Sequence, residues 1–535
     1  MRRGTGEESV QERDQGEKGH RAAAEGWVRL ISPEMRAPSL KDNRADADRL
    51  LKGVERAIGS EKVVMDLGLI RKIPSILREQ GYQIGAVVCE TSDTWHVIEL
   101  LPLAGDSSLY GLAVDLGTST IVVRLMDLIS GETLEETSFL NPQIEIGPDI
   151  LTRIHFASGK GGLETLQHLL IDGLNAVIAR LSEGRGIPAK DIMAMSVAGN
   201  TTMTHLFLGL MPYWICREPY IPVVNKPGIL QSSELGLGVH PRAPVLVFPN
   251  VGSYFGGDLI AGIMASGMTT REEVTILVDV GTNAEVVLGN RDWLVACAGA
   301  AGPALEGGVA GMGMMAGPGV IERVSIDVKT GRFQIKTIEG MPPVGICGSG
   351  LIDLTAHLFL SGMIDMHGKF LPGKCGRRLK EIDGIRHLVI VDAPESGTAR
   401  DLTLSQPDID ALLRSKAAMF TILMTVTDLV NIPIRELRRF YIAGTFGTYI
   451  DPRSAITIGM VPDLPLETFR PLGNTSIKGA SMALLSCRAR DEMDRIRDRI
   501  TYIELNVNQE FMNRFSAAKF IPHTDGSLFP SVESS

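Results

Sequence analysis

A short pattern that occurs twice constrains the fold of this chain more than any other feature. Residues 112–123 read LAVDLGTSTIVV and residues 276–287 read ILVDVGTNAEVV. Superposed, Val114, Asp115, Gly117, Thr118, Val122 and Val123 recur as Val278, Asp279, Gly281, Thr282, Val286 and Val287. Each copy is an apolar run closed by an acid, then a Gly-Thr turn, then a second apolar run. That order spells a buried strand, a tight turn and a returning strand. An Asp ending an apolar strand is costly to bury unless a cation or hydrogen-bond donors meet it. Two such acids, each beside a Gly-Thr turn with free backbone N–H groups, suit a magnesium-bound polyphosphate held from both sides.

A chain of 535 residues is long enough for two or more packed domains. Its net charge of -10, with no basic stripe interleaved with aromatics, argues against a nucleic-acid partner. The opening MRRGTGEESVQERDQGEKGH has no apolar core of a secretory signal. The most membrane-like run, AAMFTILMTVT at 417–427, stops at Asp428 and is too short to span a bilayer. No membrane partner and a cytoplasmic location are therefore expected. Cys89, Cys216, Cys297, Cys347, Cys375 and Cys487 lie far apart, without a CxxC or CxC pair. They read as free thiols of a reducing compartment rather than zinc or iron–sulfur ligands.

Along the chain, residues 1–45 mix both charge signs without periodicity and are expected to form a disordered polar tail. Residues 46–109 predict a small α/β region, with helices over 47–58 and 69–80 and strands near 85–89 and 95–101. A first lobe is expected over 110–270 and a second over 271–525, followed by a tail at 526–535. In the first lobe the hairpin runs into a third strand at 133–140, and an amphipathic helix follows over 163–181. The proline-rich stretch 212–249 predicts an irregular traverse between lobes. In the second lobe, 298–319 reads as a glycine-rich loop and 346–364 as a strand end, a Gly-Ser-Gly turn and a helix. Residues 406–430 form a strong amphipathic helix with Ser405 as its N-cap. Residues 499–523 read as a strand and a packed helix.

The two hairpins resemble the phosphate-1 and phosphate-2 motifs of the actin-like ATPase superfamily, which includes sugar kinases, heat-shock ATPases and actin. Counterparts of its other motifs follow in order. MSVAGNTTMTHLFLG at 195–209 is similar to connect-1, FYIAGTFGTYI at 440–450 to the adenosine motif, and GNTSIKGASMALLS at 473–486 to connect-2. Five motifs in order are far more specific than one. The fold implied is α/β: a two-lobed, actin-like (ribonuclease H-like) ATPase with duplicated hairpin phosphate motifs.

Within that superfamily the chain most resembles the reductive activators of corrinoid proteins. The likeness rests on DLGTST at 115–120, FPNVGSYFGGDLIAGI at 248–263, DVGTNAE at 279–285 and ACAGAAGPALEGG at 296–308. ICGSGLIDL at 346–354, KAAMFTILMTV at 416–426, YIAGTFGTYID at 441–451 and YIELN at 502–506 extend it. The resemblance implies an ATPase that helps return a corrinoid cofactor from Co(II) to Co(I) in a methyl-transfer system. Many such activators carry iron–sulfur ligands in a terminal domain, and no such ligand run stands in this sequence. No iron–sulfur cluster is expected here, and a separate ferredoxin-type donor would supply electrons. A homodimer is a further candidate that the resemblance brings.

For the ATP site, Asp115 and Asp279 are the candidates for holding hydrated Mg²⁺ and for orienting the attacking water. The backbones of Gly117–Ser119 and Gly281–Asn283 would cradle phosphates, with hydroxyls from Thr118, Ser119, Thr120 and Thr282. Gly444 and Thr445, with Phe446, match the adenosine motif, and Glu306 is a candidate ribose contact or a plain loop acid. Asn200 could reach the γ-phosphate region or simply cap a helix. Two other readings share the fold. A small-molecule kinase would need an acceptor base such as Asp258 or Asp353, and a nucleotide-gated scaffold would bind ATP without turnover.

Overall fold

The computed structural model describes residues 26–103, 108–281, 283–300, 310–327, 330–444, 449–503 and 509–532. They fall into two compact units: one runs to Ala265 and includes Ser476–Asp498, the other holds Ser266–Thr475 and the residues from Arg499.

The first unit begins with a small sheet of β1 (Val28–Ile31), β2 (Val63–Met65), β3 (Ile84–Thr91) and β4 (Thr94–Pro102), in the order β1-β3-β4-β2. Six successive residues of β3, from Ile84 to Cys89, are buried, as a strand covered on both faces requires. Ser92 and Asp93 turn the chain into β4 with positive φ at both positions, the twist a two-residue hairpin prefers. The helix Asp46–Ile58 buries Leu50 and Val54 one turn apart and stops at the left-handed Gly59.

Two expectations fail in this region. The tail does not extend to residue 45: β1 pairs antiparallel with β3, from Val28 opposite Cys89 to Ile31 opposite Ala86, and Trp27 is fully buried. A four-residue strand is too short to show a period. The helix expected over 69–80 is two pieces, Leu67–Ile70 capped by Asp66 and Ile73–Glu79. Pro74 sits in the first turn of the second piece, the only helical place where its missing N–H costs nothing.

The central sheet of the first unit contains β5 (Tyr110–Leu116), β6 (Thr120–Asp127), β7 (Thr133–Leu140), β8 (Ile192–Gly199), β9 (Gly228–Gln231) and β10 (Pro244–Val247). Their order is β7-β6-β5-β8-β10-β9, with β5, β8 and β10 parallel and β7-β6-β5 an antiparallel meander. The helix Gly162–Arg185 packs Leu166, Leu170, Leu174 and Leu181 into one core with Leu112 and Val114 of β5. The stretch 212–249 is not a traverse between lobes: β9 and β10 add two strands to this sheet. Prolines hid them because each strand spans only four residues.

The second unit is built on β11 (Thr275–Val280), β12 (Asn283–Gly289) and β13 (Leu294–Ala300), with two satellite sheets. One is β14 (Val320–Ile326), β15 (Phe333–Thr337) and β16 (Gly345–Ile346); the other is β17 (Leu379–Ile382), β18 (Ile385–Val391) and β19 (Leu402–Ser405). β20 (Arg439–Ala443), β21 (Phe469–Gly473) and β22 (Ile500–Ile503) complete the main sheet as β21-β20-β11-β12-β13-β22. Its meander β13-β12-β11 followed by the parallel β20 and β21 repeats the plan β7-β6-β5-β8-β10 of the first unit. The duplication thus extends from the hairpins to the sheets, and the fold is the expected actin-like one.

The helix Gln406–Leu429 starts where the sequence places it. Ser405 Oγ accepts from the Asp408 amide while the Asp408 carboxylate accepts from the Ser405 amide. Among the described residues no helix is long and apolar enough to cross a membrane.

Candidate functional site

In the first unit, Asp115 is half-buried near the end of β5, and Ser476 Oγ donates to its Oδ1 at 2.8 Å. The turn that follows is shaped by exclusion. A Cβ on Gly117 would stand 2.1 Å from the Thr120 carbonyl oxygen, so only glycine fits. All three carbonyls of Gly117–Ser119 are held from behind. Asn141 Nδ2 donates to Gly117 O at 3.0 Å, Arg153 Nη2 to Thr118 O at 2.7 Å, and the Asn141 amide to Ser119 O at 2.9 Å. A turn whose carbonyls are consumed on one side offers its amides and hydroxyls to an anion on the other.

Arg153 is wholly buried, with Nε on Gly147 O at 2.8 Å and Nη1 on Gln143 Oε1 at 3.2 Å. Burial lowers its guanidinium to about 10, partly offset by the charge of Asp149. Asn200 does both things open to it. Its Oδ1 accepts from the Met203 amide at 2.9 Å and caps Thr201–Phe207, while its Nδ2 donates to Thr118 Oγ1 at 3.0 Å. Gly256 closes over this corner, since a Cβ there would lie 2.4 Å from Asn200 Cα and 2.6 Å from Asp258 Oδ1. Asp115, Gly117, Thr118, Ser119, Thr120 and Asn200 are therefore gathered at one end of the sheet.

In the second unit, Asp279 is half-buried near the end of β11 and stands directly across the strand pair from Glu285. Two carboxylates opposed on one face repel and are relieved by a cation. Gly444, at φ 82°, lies against this acid: a Cβ there would come within 3.0 Å of Asp279 Oδ1. The adenosine-motif glycine and the phosphate-2 acid thus meet. Gly281 lies in the turn and Asn283 begins β12. Thr282, Glu306, Thr445 and Phe446 fall outside the described residues.

The two acids weighed as acceptor bases are otherwise engaged. Asp258 Oδ1 accepts from the Leu259 amide at 2.8 Å. Asp353 is 3% exposed and sits 3.4 Å from Arg323, which also lies 3.7 Å from Asp451. Burial raises the Asp353 carboxyl above its ordinary range. All six cysteines are free thiols.

Sequence reasoning missed Arg153, Asn141, Ser476 and Gly256. The paired glycines of FGGD were the one local signal; nothing near Arg153 or Ser476 announces a partner in a distant turn.

Three family models together match most of the chain. They are the RACo linker region over 23–106, the RACo middle region over 110–271, and the C-terminal domain of RACo, the ASKHA domain, over 273–533. The corrinoid activation enzyme RamQ of Eubacterium limosum is 30% identical over 479 residues, 88% of this chain and 79% of that protein. A [Co(II) methylated amine-specific corrinoid protein] reductase of Methanosarcina barkeri is 24% identical over 448 residues, covering 78% of each. Among solved structures, a reductive activator for corrinoid, iron–sulfur protein superposes with a TM-score of 0.87 at 39% identity. It covers 95% of this chain and 81% of its own.

Proposed function

The chain belongs to the RACo family of corrinoid-protein activators, and from that premise we propose that it is an ATPase promoting reductive reactivation of a corrinoid protein, Co(II) to Co(I). The observation that carries this reading is the chain-long likeness to a reductive activator, over 95% of the chain at 39% identity. The hairpins supply the ATP half. Asp279, with Glu285 across from it, would meet a hydrated Mg²⁺ that neutralises phosphate charge, and Asp115 would orient the attacking water. The braced turn Gly117–Ser119 would hold phosphate through its amides and hydroxyls, and Gly444 would pass the backbone beside the nucleotide.

The electron comes from a separate ferredoxin-type donor, one electron per cobalt. ATP contributes by favouring the state of the protein that docks the Co(II) partner over the state that does not. Turnover is then slow alone and faster with the partner.

The test is ATP turnover by purified protein, with and without a Co(II)-loaded corrinoid protein and a chemical reductant, following cobalt absorbance. Cobalt reduction that needs ATP and fails in Asp279→Asn is the expected result. Nucleotide binding with no cobalt response and no partner effect on turnover would overturn the activator reading.

A further inference from the structure

The helix Thr475–Leu485 begins beside the phosphate-1 acid and ends against the N-terminal sheet. At its start Ser476 Oγ donates to Asp115 Oδ1 at 2.8 Å. One turn on, Gly479 lies so close to the helix Gly257–Ser266 that a Cβ would stand 2.2 Å from Ala261 O. Arg124 of β6 donates to Ser481 Oγ at 3.0 Å. A Cβ on Gly111 of β5 would meet Leu484 Cδ2 at 3.1 Å.

At the far end the fully buried Trp27 donates its indole N–H to Ala483 O at 2.8 Å. The next helix, Cys487–Arg499, continues the grip. Arg490 Nη1 donates to Glu90 O at 2.8 Å, and Cys487 Sγ lies 3.7 Å from Glu90 Oε2. The Trp27 carbonyl accepts from the Glu90 amide at 2.8 Å, so β1 and β3 are held by the same corner.

We propose that the helix Thr475–Leu485 is a relay that couples the state of the Asp115 carboxylate to the N-terminal sheet, entering at Ser476 and leaving at Trp27. The proposal rests on the reading of Asp115 as an acid of the nucleotide site. A ligand that recruits Asp115 competes with Ser476 for the same carboxylate oxygen. A sideways displacement is opposed at Gly479, where the neighbour is the Ala261 backbone in a close-packed interior. An α-helix is stiff along its axis, and eleven residues carry the shift about 16 Å. Trp27 has one N–H and is buried around it, so the indole must follow Ala483 or lose its partner. By linkage, whatever holds the sheet in its altered state also tightens nucleotide binding.

The experiment is hydrogen–deuterium exchange of the full chain with and without MgATP and MgADP, beside calorimetric nucleotide binding. In the wild type, nucleotide should change exchange at 27–31 and 84–91 by about fivefold or more. Trp27→Phe should keep the response in 475–485 and lose it in 84–91. Ser476→Ala should lose both, and it guards against a sheet merely loosened by the first variant. Nucleotide that binds without moving exchange at 27–31 and 84–91, or a sheet response that survives Ser476→Ala, overturns the relay and leaves the ATPase reading standing. Absence of nucleotide binding in the wild type overturns both.

Discussion

The first hairpin closes on the pair Leu116–Ile121 with four residues between, and the second on Val280–Ala284 with three. That one-residue difference puts Asp115 opposite Val122 but Asp279 opposite Glu285. Because the strand period is two, a slip of one changes which side chains share a face. The same sequence motif therefore sits in two electrostatic settings. In the first unit the turn's carbonyls are braced from behind by Asn141 and the buried Arg153, and Asp115 is held by Ser476. In the second, two acids face one another across a strand pair, an arrangement that gains when a cation arrives. On the proposed function, the first hairpin would hold phosphate in place and the second would respond to metal.

The comparison breaks most visibly at Arg153. Arg153→Met leaves Gly147 O, Thr118 O and Gln143 Oε1 without their donor and should cost about 3–5 kcal/mol by denaturant unfolding. Nucleotide affinity should fall with it, while the second unit keeps its exchange protection. If both units loosen equally, the brace is not local to the first hairpin.

Next come the acids themselves. Asp115→Asn and Asp279→Asn should each lower ATP turnover about 10²-fold, about 3 kcal/mol of barrier. They should part over Mg²⁺: Asp279→Asn loses the metal-induced rise in Tm, and Asp115→Asn keeps it. Equal behaviour in a thermal shift series would refute the division of labour.

Acid should also separate the units. Burial alone would raise the Glu99 carboxyl, but the His240 hydrogen bond, the Leu100 amide and the charges of Arg242 and Lys72 outweigh it and hold it at about 2, against an ordinary 4.5. Its stabilisation is therefore present above about pH 4.5 and lost as the pH falls towards 2. Allowing for partial solvent screening, that is about 2 kcal/mol, and Glu99→Gln should remove it at neutral pH. Asp353 in the second unit has the opposite sign: burial raises its carboxyl, so its contribution is full below the ordinary value and declines as the pH rises. Exchange at 84–91 should then rise on acidification before that of 348–360 does.

The smallest effect is the sharpest in sign. Glu285→Gln removes a like-charge opposition and should stabilise metal-free protein by about 0.5 kcal/mol. It should at the same time weaken the stabilisation that Mg²⁺ gives. Destabilisation without metal would show that other contacts of Glu285 outweigh the opposition.

Local pattern was enough for much of this molecule. Alternating or continuous apolar runs fixed β5, β6, β11 and β12, the glycine that Thr120 O demands marked the first turn, and Ser405 marked its helix start. Those features depend on residues within a few positions of one another, which is the range over which periodicity and capping act. What escaped was set at a distance. β1 has meaning only beside β3, and β9 and β10 only beside β8. The single-residue offset between the hairpins hangs on one more residue in a turn whose motif looks the same. Arg153 reaches Thr118 across 35 positions and Ser476 reaches Asp115 across 361. The sequence alone determined that two acids would each end a buried strand at a glycine turn. Only the tertiary structure decided what stands behind each turn and across from each acid, because a carbonyl or a carboxylate is satisfied by whichever donor packing delivers, however far away in the chain.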